Sequence, residues 1–477
     1  MKPLCVDCDG TLIRTDLLYE SLFRVFLSRP WLLWKVLSWI MQGRAHLKSQ
    51  LASMAKIDCG LLPFRHEVLE MIKKHNLQGG HAFLVTASHE SLARRVAIAC
   101  GCFKEVFASN ATMNLKGAKK AAFLVERFGQ KGFDYAGDST SDFAVWASAD
   151  TAIIVGRDSG FVKKVAKVND KILHLKQNTS SWRAWPKLIR LHQWAKNLII
   201  FVPLVTSHQI FDSVFFLQAS LAFFAFSFLA SATYIFNDLC DLDNDRSHSK
   251  KCWRPLADGL ISLPVAFLFA TVLCLISGTL GFILGLNFLV IQLIYFLGSL
   301  IYSSVIKKIV LIDVIVLAGF YIWRLVAGGV ATGIGLSNWL LSFALFVFIS
   351  LALAKRYVEL LELPATKENA RKNMKGRGYL SSDLPLVFGL GISAAMVSVL
   401  VMLLYVNSPE VMVLYKNPQV LFLLAPLLLF WICRVWLLAL RKELHEDPVL
   451  FAVKDKSSYL VVVCMLVVVI AGASSNW

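Results

Sequence analysis

Eight long apolar runs constrain the fold of this chain more than any other feature of its sequence. Each run is close to the ~20 residues that an α-helix needs to cross ~30 Å of hydrocarbon. Hydrophobic residues make up 57% of the 477 residues, which excludes an ordinary soluble protein. The runs lie at roughly 214–236, 263–282, 287–305, 309–330, 337–354, 384–405, 418–440 and 458–475.

A weaker ninth run lies at roughly 188–208, where Arg190, Lys196 and Asn197 occupy its first half. We therefore predict an all-α polytopic membrane domain of about nine transmembrane helices over residues 181–477.

The first part of the chain has a different character. Residues 1–180 mix charged and apolar groups as a soluble domain does, and Leu4–Val6 opens the chain as a strand rather than as a cleavable signal peptide. The ten cysteines are scattered, which favours small buried residues in a reducing cytosol. The fold expected is thus multi-domain, with a soluble domain followed by a membrane domain.

Charge asymmetry gives the expected orientation. The connections near 237–262, 303–308, 355–383 and 441–457 carry nearly every loop Lys and Arg. The positive-inside rule places these connections and residues 1–187 in the cytosol, which suits a bacterial inner membrane. Because the basic residues are dispersed among membrane loops, the net charge of +17 does not indicate nucleic-acid binding. They include Arg246, Lys250, Lys251, Arg254, Lys307, Lys308, Lys355, Arg356, Arg371, Lys372, Arg441 and Lys442.

A cluster of acids directly follows the first apolar run. Ionised carboxylates at membrane depth are costly, so they mark a functional site by default. Spacings of three and four place Asp238, Asp241 and Asp245 on one helical face, beside Asn237. Carboxylates that share a face repel one another unless a divalent cation lies among them, and all-oxygen ligation suits magnesium shared with substrate phosphates. The cluster therefore predicts a membrane enzyme that handles a diphosphate through Mg²⁺.

Four segments of the N-terminal region form an ordered series of motifs. They are Asp7–Leu12, the apolar strand Phe83–Thr86, the lysine-containing Lys116–Lys120 and Gly137–Asp142. The series resembles the four motifs of the haloacid dehalogenase-like (HAD) phosphatases. The resemblance implies a Rossmannoid α/β domain over residues 1–180, with a helical cap at about 14–80.

The same resemblance implies a role for each motif residue. Asp7 would be the nucleophile and Asp9 the general acid and base. Thr86 and Lys120, with Lys116 as the alternate lysine, would bind the phosphoryl oxygens. Mg²⁺ would be held by Asp7, Asp9, Asp138 and Asp142. An inactive fold retained for assembly is the alternative.

Within the expected cap, Trp31–Met41 is too short and too interrupted by Lys35 to span a membrane. Its three tryptophans are compatible with a position at the membrane interface and equally with an ordinary buried helix.

The acidic cluster, followed by Arg254-Pro255, resembles the first signature of the UbiA-type prenyltransferase superfamily over roughly residues 185–477. That resemblance implies nine helices around a cavity in which two acidic motifs bind Mg²⁺ and an isoprenoid diphosphate. The second motif departs from the aromatic prenyltransferases, because Leu317 stands where an acid would follow Asp313.

Other residues resemble the branch of that superfamily that includes decaprenyl-phosphate phosphoribosyltransferase. The signatures lie in His192–Asn197, Tyr302–Arg324, Lys355–Glu359 and Glu446–Phe451. In that branch phosphoribosyl pyrophosphate is the donor and a polyprenyl phosphate is the acceptor. The residues expected to bind substrate are Lys196, Asn197, Asn237, Arg254, Tyr302, Lys307, Asp313, Arg324, Lys355, Arg356 and Tyr357. The expected Mg²⁺ ligands are Asn237, Asp238, Asp241 and Asp245, of which the three aspartates are also expected to be catalytic.

The combination of a HAD-like domain and a UbiA-like domain in one chain suggests a two-step membrane enzyme. Transfer of phosphoribose to the lipid phosphate would be followed by removal of the 5-phosphate. The alternatives are an aromatic polyprenyltransferase with a fused phosphatase and, more remotely, a non-catalytic scaffold or transporter.

Overall fold

The computed structural model describes residues 1–110, 114–176, 181–362, 377–409, 411, 415–444 and 447–473. Arg371, Lys372 and Glu446 lie outside the described residues. The chain forms two compact units. The first comprises Met1–Ile189 with Tyr234–Ala270, and the second comprises Arg190–Thr233 with Thr271–Trp477. The acidic cluster therefore belongs to the same unit as the N-terminal residues. The domain boundary near residue 180 stays a prediction.

A six-stranded parallel sheet organises the N-terminal part of the first unit in a Rossmann-like arrangement. Its strand order is β3-β2-β1-β4-β5-β6. Because β1 lies between β2 and β4, the order reverses there, and such a reversal opens a crevice at the carboxyl ends of the strands. The strands are β1 (Leu4–Val6), β2 (Ala82–His89), β3 (Glu105–Ser109), β4 (Asp134–Gly137), β5 (Ala152–Val155) and β6 (Ile172–Leu175).

Four helices lie between β1 and β2, in the segment expected to form a cap. The side chain of Asp16 begins the first of them by accepting a hydrogen bond from the Leu18 amide. The helices from the start of the chain to residue 206 are α1 (Leu17–Ser28), α2 (Leu33–Met41), α3 (Arg44–Met54), α4 (His66–Leu77), α5 (Glu90–Cys100), α6 (Ala118–Phe128), α7 (Phe143–Ser148), α8 (Ser159–Val165), α9 (Ala184–Leu188) and α10 (Val202–Thr206), the last of which lies in the second unit.

Long apolar helices dominate the rest of the chain, as the sequence predicts. They and the short helices among them are α11 (Ser213–Cys240), α12 (Leu242–Arg246), α13 (Leu263–Ile283), α14 (Leu286–Ser304), α15 (Ile312–Thr332), α16 (Asn338–Leu361), α17 (Leu384–Val406), α18 (Leu424–Leu440), α19 (Pro448–Lys454) and α20 (Lys456–Ala473).

Among the described residues, eight helices are long and apolar enough to cross a membrane. The eight predicted runs match them, and the chain is an integral membrane protein. The ninth run is not one long α-helix: a 3₁₀ segment over Leu191–Phe201 leads into the short α10. Polar side chains account for this difference. Lys196 and Asn197 are buried, and they donate hydrogen bonds to Asp447 and Ser227, contacts that a uniform apolar helix does not make.

Candidate active sites

The first site forms where β1, β2 and β4 end together. Val6 is in register with Leu84 of β2 and Ala136 of β4, so the residues that follow these strands meet at one edge of the sheet. Asp7 and Asp9 follow β1, Thr86 lies near the end of β2, and Asp138 follows β4. The predicted motifs are therefore brought together by parallel pairing.

Asp7, Asp138 and Asp142 have carboxylate oxygens that all lie within 4.8 Å of one another. Lys120 Nζ lies 3.1 Å from Asp7 Oδ1 and 3.8 Å from Asp142 Oδ1. Tyr135 completes the contact, because it accepts from Lys120 at 2.8 Å and donates to Asp142 at 2.9 Å. Of the two lysines expected here, Lys120 therefore contacts the acids, whereas Lys116 lines the surrounding cavity.

The charge balance of this cluster fits a bound cation. Burial raises the pKa of Asp7 to about 8, although Lys120 opposes the shift. Burial also raises the pKa of Asp138 to about 6, with the nearby Asp142 acting in the same direction. A raised pKa means that these carboxylates would ionise more readily beside a further positive charge. They offer only oxygen ligands, which suits Mg²⁺.

Asp9 is held differently from the other acids. Its carboxylate accepts hydrogen bonds from the Leu17 amide at 2.8 Å and from Ser88 Oγ at 2.5 Å. Burial raises the pKa of Asp9 to about 7, which suits a group that must carry and release a proton near neutrality. Thr86 is fully buried, and its Oγ1 accepts from the Ser88 amide at 3.0 Å. Ser88 was missed by the sequence analysis, although it lies only two residues beyond Thr86 in the same strand.

These groups open into a cavity of about 740 Å³. Its wall includes apolar cap residues such as Leu18, Tyr19 and Ile40, together with Leu263 and Pro264 at the start of α13. Lys48 of α3 also lines the cavity and donates to the Ala87 carbonyl at 2.7 Å. Sequence reasoning missed Lys48 because α3 carries none of the motifs. The cavity thus combines charged and polar groups with apolar walls.

Gly10 allows the motif loop to approach Asp138 closely. Its φ is +75°, and a Cβ there would lie 2.5 Å from Asp138 Oδ2. We expect Gly10→Ala to slow phosphomonoester hydrolysis by about 100-fold, since it displaces one of the clustered acids. Gly79→Ala is the matched control, because Gly79 also has a positive φ, of +82°, but has nothing within 4 Å of its Cβ position. Steady-state hydrolysis of a soluble phosphomonoester tests this, and equal rates for both variants would contradict it.

The second acidic group lies at the end of α11. Asp238 and Asp245 are 4% and 3% exposed, and Arg254 Nη1 contacts them at 3.1 and 2.7 Å. The helix is interrupted at Asp241, where φ is −102° and ψ is 19°. Helical hydrogen bonds nevertheless continue, from the Asp241 amide to the Asn237 carbonyl at 3.0 Å and from the Asp245 amide to the Asp241 carbonyl at 2.9 Å. The predicted helical spacing is therefore kept through a local distortion.

This acidic group offers oxygen ligands, but two of its carboxylates already pair with an arginine. The Arg254 guanidinium supplies a positive charge where the buried carboxylates of Asp238 and Asp245 meet. The donors are oxygens, as Mg²⁺ prefers. Among the described residues, the acids whose ligand atoms lie close enough together to hold an ion are Asp7, Asp138 and Asp142 of the first site. Binding of an ion by Asp238, Asp241 and Asp245, with Asn237, stays a prediction.

In the second unit, two lysines converge on one aspartate. Lys196 and Lys355 contact Asp447 Oδ2 at 2.8 and 3.0 Å, and Tyr321 donates to Asp447 Oδ1 at 3.3 Å. Burial alone would raise the pKa of Asp447, but the two lysines hold it well below its usual range. Asp447 lies in the Glu446–Phe451 signature, just before Pro448 at the start of α19, but it was not among the residues expected to bind substrate.

Arg324, the cation predicted from its position within a helix, is fixed by hydrogen bonds. It donates to Asn197 Oδ1 at 2.7 Å and to the Tyr295 hydroxyl at 2.9 Å. The backbone near Ile200 approaches α15 closely at Gly328, one turn after Arg324. A Cβ at Gly328 would lie 2.1 Å from the Ile200 carbonyl oxygen, so glycine permits this approach. The predicted pair Asn197 and Arg324 is thus in direct contact.

Arg356 and Asp313 form a separate ion-pair network. Arg356 Nε lies 2.7 Å from Asp313 Oδ2, and both side chains are fully buried. Tyr379 donates to Asp313 Oδ1 at 2.6 Å, while Glu359 also contacts Arg356. These contacts hold α15 and α16 together, and a role in substrate binding stays a prediction for Arg356 and Asp313.

Three other predicted substrate-binding residues are two tyrosines with aromatic neighbours and a lysine in a turn. Tyr357 packs against Phe388 and Trp436, with ring centroids 5.5 and 5.9 Å apart. Tyr302 packs against Phe320 at 5.8 Å, and Lys307 lies in the short 3₁₀ turn Ile306–Lys308. Their roles in binding stay predictions.

Asp447→Asn is expected to destabilise the protein by ~3–5 kcal/mol, because it leaves the largely buried Lys196 and the half-buried Lys355 without their carboxylate. Thermal unfolding of the detergent-solubilised protein measures the loss, and added pyrophosphate should restore part of it by binding the lysines. Glu443→Gln, at an exposed position of the same connection, is the control. Equal unfolding temperatures for Asp447→Asn and the control would show that the lysines do not depend on Asp447.

Over the part of the chain that the structure describes, eight long apolar helices define a polytopic membrane protein. The UbiA prenyltransferase family model matches residues 198–474, more than half of the chain. The chain belongs to the UbiA prenyltransferase family, and its relatives indicate a transferase.

Three relatives define the similarity further. An uncharacterized protein of Sinorhizobium fredii, y4nM, is 38% identical over 96% of this chain and 89% of its own length. Nodulation protein NoeC of Azorhizobium caulinodans is 32% identical over 58% of this chain and 88% of its own. Decaprenyl-phosphate phosphoribosyltransferase of Mycobacterium tuberculosis is 34% identical over 44% of this chain and 70% of its own. The match to y4nM therefore includes both the sheet and the membrane helices.

Proposed function

We propose that this chain is a bifunctional membrane enzyme that makes a polyprenyl-phosphoryl ribose in two steps. It first transfers 5-phosphoribose from phosphoribosyl pyrophosphate to a polyprenyl phosphate and then removes the 5-phosphate. The observation that carries the proposal is the union, in one chain, of an aspartate–lysine cavity with a membrane region similar to a named phosphoribosyltransferase.

In the transfer step, an oxygen of the lipid phosphate attacks the anomeric carbon of the ribose. The bond from that carbon to the pyrophosphate oxygen breaks, and pyrophosphate leaves with the electron pair. Asp238, Asp241 and Asp245 would hold the metal that binds the pyrophosphate. Lys196 and Lys355 would bind phosphate groups. Both ammonium groups contact the Asp447 carboxylate, and a phosphate oxygen can replace that carboxylate as their partner.

In the hydrolytic step, an Asp7 oxygen attacks the phosphorus of the 5-phosphate and the bond to the ribose oxygen breaks. Asp9 gives its proton to that leaving oxygen and then takes a proton from the water that hydrolyses the aspartyl phosphate. Lys120 and Thr86 would bind the phosphoryl oxygens. This is the chemistry of a HAD-type phosphatase. At both acid clusters, the chemistry that bound Mg²⁺ supplies is positive charge on phosphate oxygens.

The charge of the connecting loops supports a cytoplasmic position for both sites in a bacterial inner membrane. An aromatic polyprenyltransferase with a fused phosphatase is the second candidate, since the family as a whole is named for prenyl transfer. Leu317, in place of a second acid after Asp313, weighs against it.

The test supplies the purified protein and Mg²⁺ with two substrate pairs in separate reactions. One pair is phosphoribosyl pyrophosphate with polyprenyl phosphate, and the other is a polyprenyl diphosphate with 4-hydroxybenzoate. We expect a lipid-linked product only from the first pair. Product only from the second pair would replace our proposal by the aromatic prenyltransferase.

A further inference from the structure

Arginine–carboxylate pairs join helix α1 to the acidic stretch that follows α11. Arg246 Nη2 lies 2.6 Å from Glu20 Oε1, and Arg246 Nη1 lies 3.2 Å from Glu20 Oε2. These two side chains are 3% and 0% exposed. Arg24 contacts both carboxylate oxygens of Asp243. We call these four residues the latch.

The Glu20–Arg246 pair of the latch has a defined geometry because each side chain also has a further partner. Glu20 Oε1 also accepts from Thr15 Oγ1 at 3.0 Å, and Arg246 Nε donates to the Ala257 carbonyl at 3.2 Å. Paired, planar contacts between a guanidinium and a carboxylate fix orientation as well as distance. The latch therefore fixes the backbone of the acidic stretch relative to α1.

Two latch residues, Asp243 and Arg246, alternate along the chain with the residues expected to bind metal. Asp243 and Arg246 flank Asp245, so a shift of either one moves the backbone that carries the Asp245 carboxylate. In the same way, Asp245 cannot move without changing its contact with Arg254, which is shared with Asp238.

A third pair supports the far end of this segment. Arg14 Nη1 lies 2.6 Å from Asp258 Oδ1, and the Asp258 amide donates to the Arg254 carbonyl at 2.9 Å. Arg14 also lines the cavity that holds Asp7. The short segment from Arg254 to Asp258 therefore connects the guanidinium that pairs with the acidic group to Arg14 in the wall of the cavity.

We propose that helix α1 positions the acidic stretch for binding of a divalent cation and a diphosphate. Glu20, Arg24, Asp243 and Arg246 are positioning residues, and the N-terminal region serves the transferase by its fold as well as by its own chemistry. The proposal rests on the proposed function only in taking the acidic stretch as the metal–diphosphate site.

The test measures metal binding directly in the full chain held in lipid nanodiscs. Mn²⁺ is titrated and followed by electron paramagnetic resonance, in an Asp138→Asn background that removes one of the three clustered acids of the cavity. We expect Glu20→Gln and Arg246→Met each to weaken Mn²⁺ binding by about tenfold, as loss of partners that orient ligands does in other metal sites. The double variant should bind no more weakly than the single ones, since both remove the same interaction.

The matched control is Arg94→Met, which removes an exposed pair with Glu90 in α5 of the same unit and should leave Mn²⁺ binding unchanged. Asp243→Asn is the milder variant if the buried ones fail to fold, because this side chain is 38% exposed. It too should weaken Mn²⁺ binding.

Unchanged Mn²⁺ affinity in folded Glu20→Gln or Asp243→Asn protein would overturn the proposal. The measurement needs no substrate. Failure of phosphoribosyl transfer in the wild-type protein would therefore overturn the proposed function. The Mn²⁺ affinities alone would then decide whether the latch positions the acidic stretch.

Discussion

Asp238→Asn is expected to lower phosphoribosyl transfer by about 10³-fold, because the transition state loses charge stabilisation where pyrophosphate departs. Asp238 is buried and shares Arg254 with Asp245, so the substitution also leaves a guanidinium with one carboxylate fewer. The measurement is the rate at which ribose label enters the lipid fraction at saturating Mg²⁺. Hydrolysis of a soluble phosphomonoester by the same variant should be largely retained, since that reaction uses the Asp7 cluster.

The control for Asp238→Asn is Asp170→Asn, which changes an exposed aspartate outside both acid clusters. It should leave transfer unchanged. Transfer at the wild-type rate by folded Asp238→Asn protein would remove the acidic stretch from the mechanism.

Asp7→Asn is expected to lower phosphate release by at least about 10⁴-fold, because an amide cannot act as the nucleophile. Transfer should continue, so a lipid-linked ribose that keeps its 5-phosphate should accumulate. Lipid extraction followed by mass spectrometry distinguishes that product from the dephosphorylated one.

Glu126→Gln, at an exposed position of α6, is the control for Asp7→Asn and should give the dephosphorylated lipid. If Asp7→Asn protein also gave the dephosphorylated lipid, the assigned role of the cavity would be wrong.

Much of the architecture could be predicted because it follows from local patterns. The eight spans are set by run length alone, and the apolar strand before Asp7 predicts where parallel strands bring the motif residues together. The conformation of the ninth run was harder to predict. Lys196 and Asn197 have buried partners, and a segment with such contacts need not form a regular apolar helix.

Partner choice among charged residues could not be predicted from the sequence. Nothing local to Asp447 indicates that Lys196, 251 residues away, and Lys355 both contact it. The same holds for Glu20 and Arg246, which are 226 residues apart. Such pairs depend on how distant segments pack, whereas motif spacing depends only on neighbouring residues.

The most direct test of the two-step reaction uses phosphoribosyl pyrophosphate that carries ¹⁴C in the ribose and ³²P in the 5-phosphate. Wild-type protein is incubated with this donor, Mg²⁺ and polyprenyl phosphate, and the lipid and aqueous fractions are counted. We predict ¹⁴C in the lipid fraction and ³²P in free phosphate, with the ³²P release lagging behind the ¹⁴C transfer. Absence of ¹⁴C from the lipid, or lipid that keeps both labels in full, would contradict the proposed function.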